Sequence, residues 1–126
     1  MINFNTIADL IAMAEEKGLC IHEFVIAREM HTTQRTRGAL LEEMRRNWQV
    51  MCASIERGIA NEEKSLSGLT GGDARRLFAW REQSYVGAAA LEAAAYAVGI
   101  SEVNAVMGRI VACPTAGSCG IVPAVL

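Results

Sequence analysis

The residues best suited to chemistry lie near the end of the chain, over Ala112–Val125. Small and hydroxyl-bearing residues crowd between Pro114 and Pro123, a composition typical of a tight bend that a ligand can approach closely. Gly117–Gly120 precede a segment that can start a helix, and the first N–H groups of a helix lack internal partners. The pattern therefore marks a candidate anion site, for a carboxylate rather than a triphosphate, and a purely structural turn explains it about equally well.

A second loop rich in glycine and hydroxyls, Ser65–Asp73, also precedes a predicted helix. Its Thr70-Gly71-Gly72 run lacks the Gly-Lys-Ser/Thr sequence that would follow in a phosphate loop. It is the second candidate for an anion site, and the residues alone favour a simple turn.

The cysteines do not form a recognised metal or redox pair. Five residues separate Cys113 from Cys119, unlike the two-residue spacing of common zinc and redox pairs. Two thiols cannot complete a metal site, so the residues alone favour cysteines without a functional role. The alternatives are that they line a pocket or join metal ligands from elsewhere. Four other residues show no catalytic or metal-ligand pattern: Cys20, Cys52, His22 and His31. We predict that Cys20 and Cys52 are buried apolar residues.

Composition limits the classes of partner. The 126 residues suit one domain, and a net charge of −2 with a pI near 5.7 offers no basic face for nucleic acid. The most apolar run, Val86–Ile100, contains Glu92 and is shorter than the roughly 20 residues of a membrane span. The first residues lack a signal-peptide pattern, so we expect a cytoplasmic protein.

Apolar residues recur at helical spacing along most of the chain, and no strand-like alternation is evident. We predict an all-α, bundle-like domain of about five to six helices whose glycine-rich loops carry the ligand. Thr6 and Asp9 should form a capping box, Asp73 should cap the fourth helix, and Gly99 should end the fifth. The predicted helices are Thr6 to about Lys17, Ile21–Arg28, Gly38–Ala60, Ala74–Glu82 and Tyr85–Val98, the last enclosed on every side.

Three segments resemble the α chain of iron–sulfur-dependent L-serine dehydratase: Ser67–Ala74, Glu102–Val111 and Pro114–Ile121. The stretch Val25–Met30 is also similar, so the resemblance covers nearly all 126 residues in order. It implies that residues 1–126 are the N-terminal part of the α-chain catalytic domain of the two-subunit form. L-serine and a separate β chain are then the expected partners, and a homo-oligomer is possible; no nucleic acid or membrane is expected.

The resemblance further implies conversion of L-serine to pyruvate and ammonia with a [4Fe–4S] cluster. An iron without a cysteine ligand would bind the substrate hydroxyl and ease its departure as a Lewis acid. A fixed anion site would hold the serine carboxylate in register. The catalytic base is not identified. The expected substrate-binding residues are Thr115, Ala116, Gly117 and Ser118, followed by Ser67, Gly71, Gly72 and Asp73.

In the family, the cluster-binding cysteines follow the Pro-Thr-Ala-Gly motif, so we expect the ligands beyond Leu126 and assign none here. Cys113 and Cys119 become pocket residues, and we predict that this chain alone binds no cluster and is inactive. Pyridoxal phosphate is not expected, because neither Lys17 nor Lys64 lies in the serine–lysine pattern of that enzyme class. The alternative is a non-catalytic helical module that self-associates or binds a partner chain through exposed apolar surface.

Overall fold

The computed structural model describes residues 4–126, in which six α-helices and two 3₁₀ turns are present without any strand. This confirms the predicted all-α fold. Within the same residues, no helix has the length and apolarity needed to cross a bilayer. The helices are α1 (Ile7–Glu16), α2 (Ile21–Thr33), α3 (Arg37–Ala60), α4 (Asp73–Trp80), α5 (Ala88–Ala105) and α6 (Ile121–Val125). The 3₁₀ turns are Arg81–Gln83 and Ala116–Ser118.

The chain divides into two compact units, Met1–Arg45 and Arg46–Leu126, with the boundary inside α3. In the first unit, α1 begins with the predicted capping box. The Thr6 hydroxyl accepts from the Asp9 amide and the Asp9 carboxylate accepts from the Thr6 amide, both at 3.1 Å. The hydrogen bond from Thr6 lowers the pKa of Asp9. Gly18 follows the helix with a φ of +64°, a left-handed conformation that glycine adopts readily after a helix end.

The second helix is longer than predicted, since it continues past Arg28 to Thr33. It ends at Gln34, which takes a left-handed conformation with a φ of +57°. The start of α3 is capped by the polar stretch before it, because the Thr36 hydroxyl accepts a 3.2 Å hydrogen bond from the Ala39 amide.

In the second unit, Gly99 does not end a helix, contrary to the sequence prediction. It lies inside α5, which continues to Ala105, and it faces Gly58 of α3. A Cβ on Gly58 would lie 2.5 Å from the Gly99 carbonyl carbon, so any side chain there would force the two backbones apart. Glycine at this position therefore permits close helix packing rather than termination.

The prediction that the Tyr85–Val98 segment is enclosed on every side is wrong for its first part. Tyr85 and Val86 precede α5 and are exposed, and three alanines early in the helix are exposed as well. The buried apolar positions of α5 lie further along, at Ala95, Ile100 and Val103. Phe78 of α4 stacks on Tyr96 with ring centroids 5.9 Å apart. The second half of α5 thus forms the core that positions the loops around it.

Candidate functional site

The terminal loop is fixed to α5 by its last residues. Cys119, Gly120 and Pro123 are buried, and a Cβ on Gly120 would lie 2.9 Å from the Ala97 Cα of α5. Burial also raises the pKa of the Cys119 thiol, because the thiolate loses solvation. The loop therefore has a rigid base on the helix.

The Thr115–Ser118 turn is held together by its own hydroxyl groups. The Ser118 hydroxyl lies 3.1 Å from the Cys113 carbonyl oxygen and 3.2 Å from that of Thr115, both acceptors for its proton. The same oxygen accepts from the Thr115 amide at 3.3 Å, and the two hydroxyls are 3.0 Å apart. These contacts fix the backbone of the turn before any ligand arrives.

The turn presents its middle residues to solvent. Thr115, Ala116 and Gly117 are exposed, and Ser118 is half-buried. Ala116 and Gly117 are the first two residues of a 3₁₀ turn, in which the earliest internal hydrogen bond is donated by Ser118 to Thr115. The amides of Ala116 and Gly117 therefore have no acceptor within the turn. The structure brings the four predicted residues together at one exposed bend.

The second predicted loop, Ser65–Asp73, is closed on itself. The Ser65 amide donates to the Thr70 carbonyl at 2.9 Å, and the Thr70 amide donates to the Ser65 hydroxyl at 3.3 Å. The Lys64 ammonium donates to the Gly71 carbonyl at 2.5 Å. Gly71 has a φ of +129° and lies against the Glu63 carbonyl, which leaves no room for a side chain.

The end of this loop is capped by a residue from α5. Glu102 is only 4% exposed, and its carboxylate accepts from the Gly72 amide at 3.1 Å and from the Asp73 amide at 2.8 Å. The sequence prediction that Asp73 caps α4 is therefore wrong, because Asp73 is the first residue of the helix. The N-cap residue is Gly72, which has no side chain that could accept a capping hydrogen bond. A carboxylate at this position also complements the positive end of the helix.

Sequence reasoning missed the role of Glu102. The available signal was an acidic residue within an otherwise apolar helix, and buried carboxylates require partners. That signal could have marked the residue as paired, but it could not name Gly72 and Asp73 as the partners.

A cavity of about 290 Å³ lies beside α5 and brings together part of the predicted site. Thr70 and Asp73 reach it from the second loop, whereas none of Thr115–Ser118 lines it. The Asp73 carboxylate also pairs with Arg76. The two groups of predicted residues therefore do not share this cavity. Its lining residues are Thr70, Asp73, Ala97, Val98, Ser101, Glu102 and Ala105.

The described residues do not fit an iron–sulfur cluster. Over residues 4–126, no group of three or more histidine, cysteine or acidic side chains converges as a metal site would require. Cys113 is half-buried and Cys119 is buried. The prediction that Cys20 is buried is wrong, because it precedes α2 at an exposed position, and Cys52 is half-buried.

Comparison with known proteins agrees with the motifs of the two loops. The family model described as serine dehydratase alpha chain matches residues 16–126. The chain is 41% identical over 125 residues to a probable L-serine dehydratase, alpha chain, of Bacillus subtilis, covering 98% of this chain and 41% of that protein. It is 34% identical over 124 residues to the L-serine dehydratase alpha chain of Peptoniphilus asaccharolyticus, covering 97% and 42% respectively.

A further relative is the L-serine dehydratase TdcG of Escherichia coli. The chain is 34% identical to it over 132 residues and covers 28% of that protein's length. The chain thus spans less than half of each of these proteins. No solved structure gives a significant match. With the family model matching most of the sequence, the chain belongs to the serine dehydratase alpha chain family.

Proposed function

We propose that this chain forms the substrate-binding part of an L-serine dehydratase, and that its Thr115–Ser118 turn binds the carboxylate of L-serine. The names of its relatives support the reaction class. One observation supports this location for the carboxylate site. The turn is exposed, two of its amides have no acceptor within the turn, and the residues that follow it, Cys119 and Gly120, are buried. A small carboxylate is an acceptor of suitable size and charge for such donors.

Dehydration of serine requires loss of the α-proton and of the β-hydroxyl, after which the enamine becomes an imine and hydrolyses to pyruvate and ammonia. A turn that holds the carboxylate fixes the α- and β-carbons relative to the groups that take the proton and the hydroxyl. Because Ser118 already orders the turn, little conformational entropy is lost when serine binds.

The resemblance implies a [4Fe–4S] cluster, and we retain it as part of the proposed intact enzyme. Residues 4–126 supply no fitting set of ligands, so we limit this chain's role to binding and orienting the substrate. Two of the relatives are named alpha chains, which supports the proposal that a second chain completes the enzyme.

The substrate proposal is tested in the full-length α chain assembled with its partner chain. Thr115→Val and Ser118→Ala should each raise KM for L-serine by about fivefold to tenfold, because both remove a hydroxyl that orders the turn. Thr32→Val, at an exposed position of α2, is the matched control and should leave KM unchanged. Unaltered KM in both turn variants would contradict the proposed location.

The role of the 126-residue chain alone is tested by anaerobic reconstitution with iron and sulfide. We expect helical circular dichroism without stable cluster absorption and without serine turnover. A stable cluster with pyruvate formation would show that these residues suffice, against our proposal.

A further inference from the structure

Glu102 is the buried acid of the second unit, and its partners are backbone groups. Its two carboxylate oxygens divide between the amides of Gly72 and Asp73, at 3.1 and 2.8 Å. These amides lie at the start of α4, so the helix dipole adds to the attraction. Hydrogen bonds that involve an ionised acceptor are stronger than neutral ones. The Ser65–Asp73 loop is therefore tied at its end to α5.

The same side chain reaches the cavity beside α5. Glu102 lines it together with Thr70 and Asp73, the two loop residues whose position depends on where the loop backbone is held. The loop has its own closure between Ser65 and Thr70, which fixes its shape without attaching it to α5. The Glu102 contacts supply that attachment, and they decide how Thr70 and Asp73 face the cavity.

The Glu102 contacts also change what the Ser65–Asp73 loop can offer a ligand. A helix start with open amides attracts anions, but here an internal carboxylate has taken that position. An incoming serine carboxylate would have to displace a buried acid, which would then lose its hydrogen bonds. The Ser65–Asp73 loop is thus excluded as the carboxylate site, and the cavity walls remain for other parts of the substrate.

We propose that Glu102 is a positioning residue of the serine site: by holding the Gly72 and Asp73 amides, it fixes Thr70 and Asp73 as one wall of the cavity beside α5. Ala97, which also lines this cavity, lies against Gly120 at the base of the terminal loop, so the cavity borders the proposed carboxylate site. The proposal rests on the proposed dehydratase function. It adds that the two predicted loops have separate tasks, with the carboxylate held at Thr115–Ser118 and the remainder of the substrate oriented by the Ser65–Asp73 loop.

The test uses Glu102→Gln in the full-length α chain with its partner chain. Glutamine keeps the size of the side chain but replaces one acceptor oxygen with an NH₂ group that faces a backbone donor. We expect the Gly72 and Asp73 amides to exchange hydrogen about tenfold faster, as read by residue-level mass spectrometry. We also expect KM for L-serine to rise about fivefold while kcat stays within about twofold.

Two further variants serve as a control and as a milder change at the same position. Glu56→Gln makes the same chemical change at an exposed position of α3 and should alter neither quantity. Glu102→Asp keeps both oxygens but shortens the side chain, so we expect a smaller increase in amide exchange, about threefold.

Several outcomes would contradict the proposed role of Glu102. Unchanged exchange of the Gly72 and Asp73 amides in Glu102→Gln would overturn the contact itself. Faster exchange with unchanged KM would reduce Glu102 to a structural role. Failure of both Glu102 variants to fold, while Glu56→Gln folds, would have the same meaning. An enzyme that never acts on serine would instead refute the proposed function, and the exchange measurement would still report on the Glu102 contact.

Discussion

The two glycine-rich loops of the second unit have similar compositions, but different groups occupy their amides. In Ser65–Asp73, the Gly72 and Asp73 amides at the helix start donate to buried Glu102. In the terminal loop, the Thr115–Ser118 turn is ordered by its own hydroxyls, and the Ala116 and Gly117 amides lack an acceptor within that turn.

The difference shows that a glycine-rich sequence before a helix indicates backbone N–H donors. It does not indicate whether those donors are already bonded to an acceptor within the protein. An internal carboxylate can fill the position that a ligand would otherwise take. In this molecule, the Ser65–Asp73 loop, whose last amides bond to Glu102, lines the cavity beside α5. The Thr115–Ser118 turn is the candidate carboxylate site. The following predictions test that division.

The largest effect is expected at Gly71, where the Ser65–Asp73 loop passes the Glu63 carbonyl. Gly71→Ala should lower the free energy of unfolding by about 3 kcal/mol, because alanine is strained at a φ of +129° and its Cβ has no space. Gly68→Ala is the matched control, since its φ of +73° is also left-handed but nothing lies within 4 Å, and it should cost about 1 kcal/mol. Urea unfolding measures both, and equal losses would contradict the close approach at Gly71.

In the terminal loop, Gly120→Ala should lower the free energy of unfolding by about 2 kcal/mol. The φ of −83° accepts alanine, so the loss would come from the contact with the Ala97 backbone. Gly117→Ala provides the comparison, because the nearest atom to its Cβ would be 3.9 Å away, and it should change stability by less than about 0.5 kcal/mol. A tolerated Gly120→Ala would mean that the loop is not seated on α5.

These glycines illustrate what the sequence could predict. The Thr6–Asp9 capping box was predictable because both partners lie within one helical turn. The role of Gly99 was not, because glycine signals a helix end or a close contact equally, and its partner Gly58 lies in another helix. The terminal loop was recognisable from composition and motif alone.

Glu102 marks the limit of local reasoning at the candidate site. The cap on α4 comes from 29 residues away in sequence, and only the packing of α5 brings it there. The sequence therefore predicted that Gly72 and Asp73 would be hydrogen-bond donors, but not which acceptor would bind them. Whether a pocket amide is open depends on tertiary structure.

A smaller effect is expected from Ser118→Ala, which removes the hydroxyl that joins the Cys113 and Thr115 backbones. The loss in stability should be about 1 kcal/mol. Ser101→Ala is the control, since its hydroxyl bonds only to the Ala97 carbonyl of the preceding helical turn at 3.1 Å, and it should be nearly neutral. Thermal unfolding distinguishes the two, and equal stability would show that the turn does not depend on Ser118.

The smallest predicted effect concerns pH at the base of the terminal loop. Burial raises the pKa of Cys119 above the ordinary value of 9.0, so the folded thiol holds its proton after the unfolded thiol has lost it. This contribution to stability is complete below pH 9 and is lost as pH rises through the folded pKa. The raised pKa of Tyr96 acts in the same direction only above its ordinary value of 10.0.

We therefore expect Cys119→Ala to lose less stability than the wild type between pH 7.5 and about 9.8, by under about 1 kcal/mol. Cys20→Ala, at an exposed thiol, should keep the wild-type pH dependence. Urea unfolding at the two pH values provides the measurement. A Cys119→Ala profile parallel to the wild type would rule out a buried thiol at this position.

The most direct test of the division between the loops is amide hydrogen exchange of the full-length α chain, assembled with its partner, with and without saturating L-serine. We expect serine to slow exchange at Ala116 and Gly117 by at least about tenfold, while exchange at Gly72 and Asp73, already bonded to Glu102, changes little. Protection confined to Gly72 and Asp73, with Ala116 and Gly117 unaffected, would contradict it.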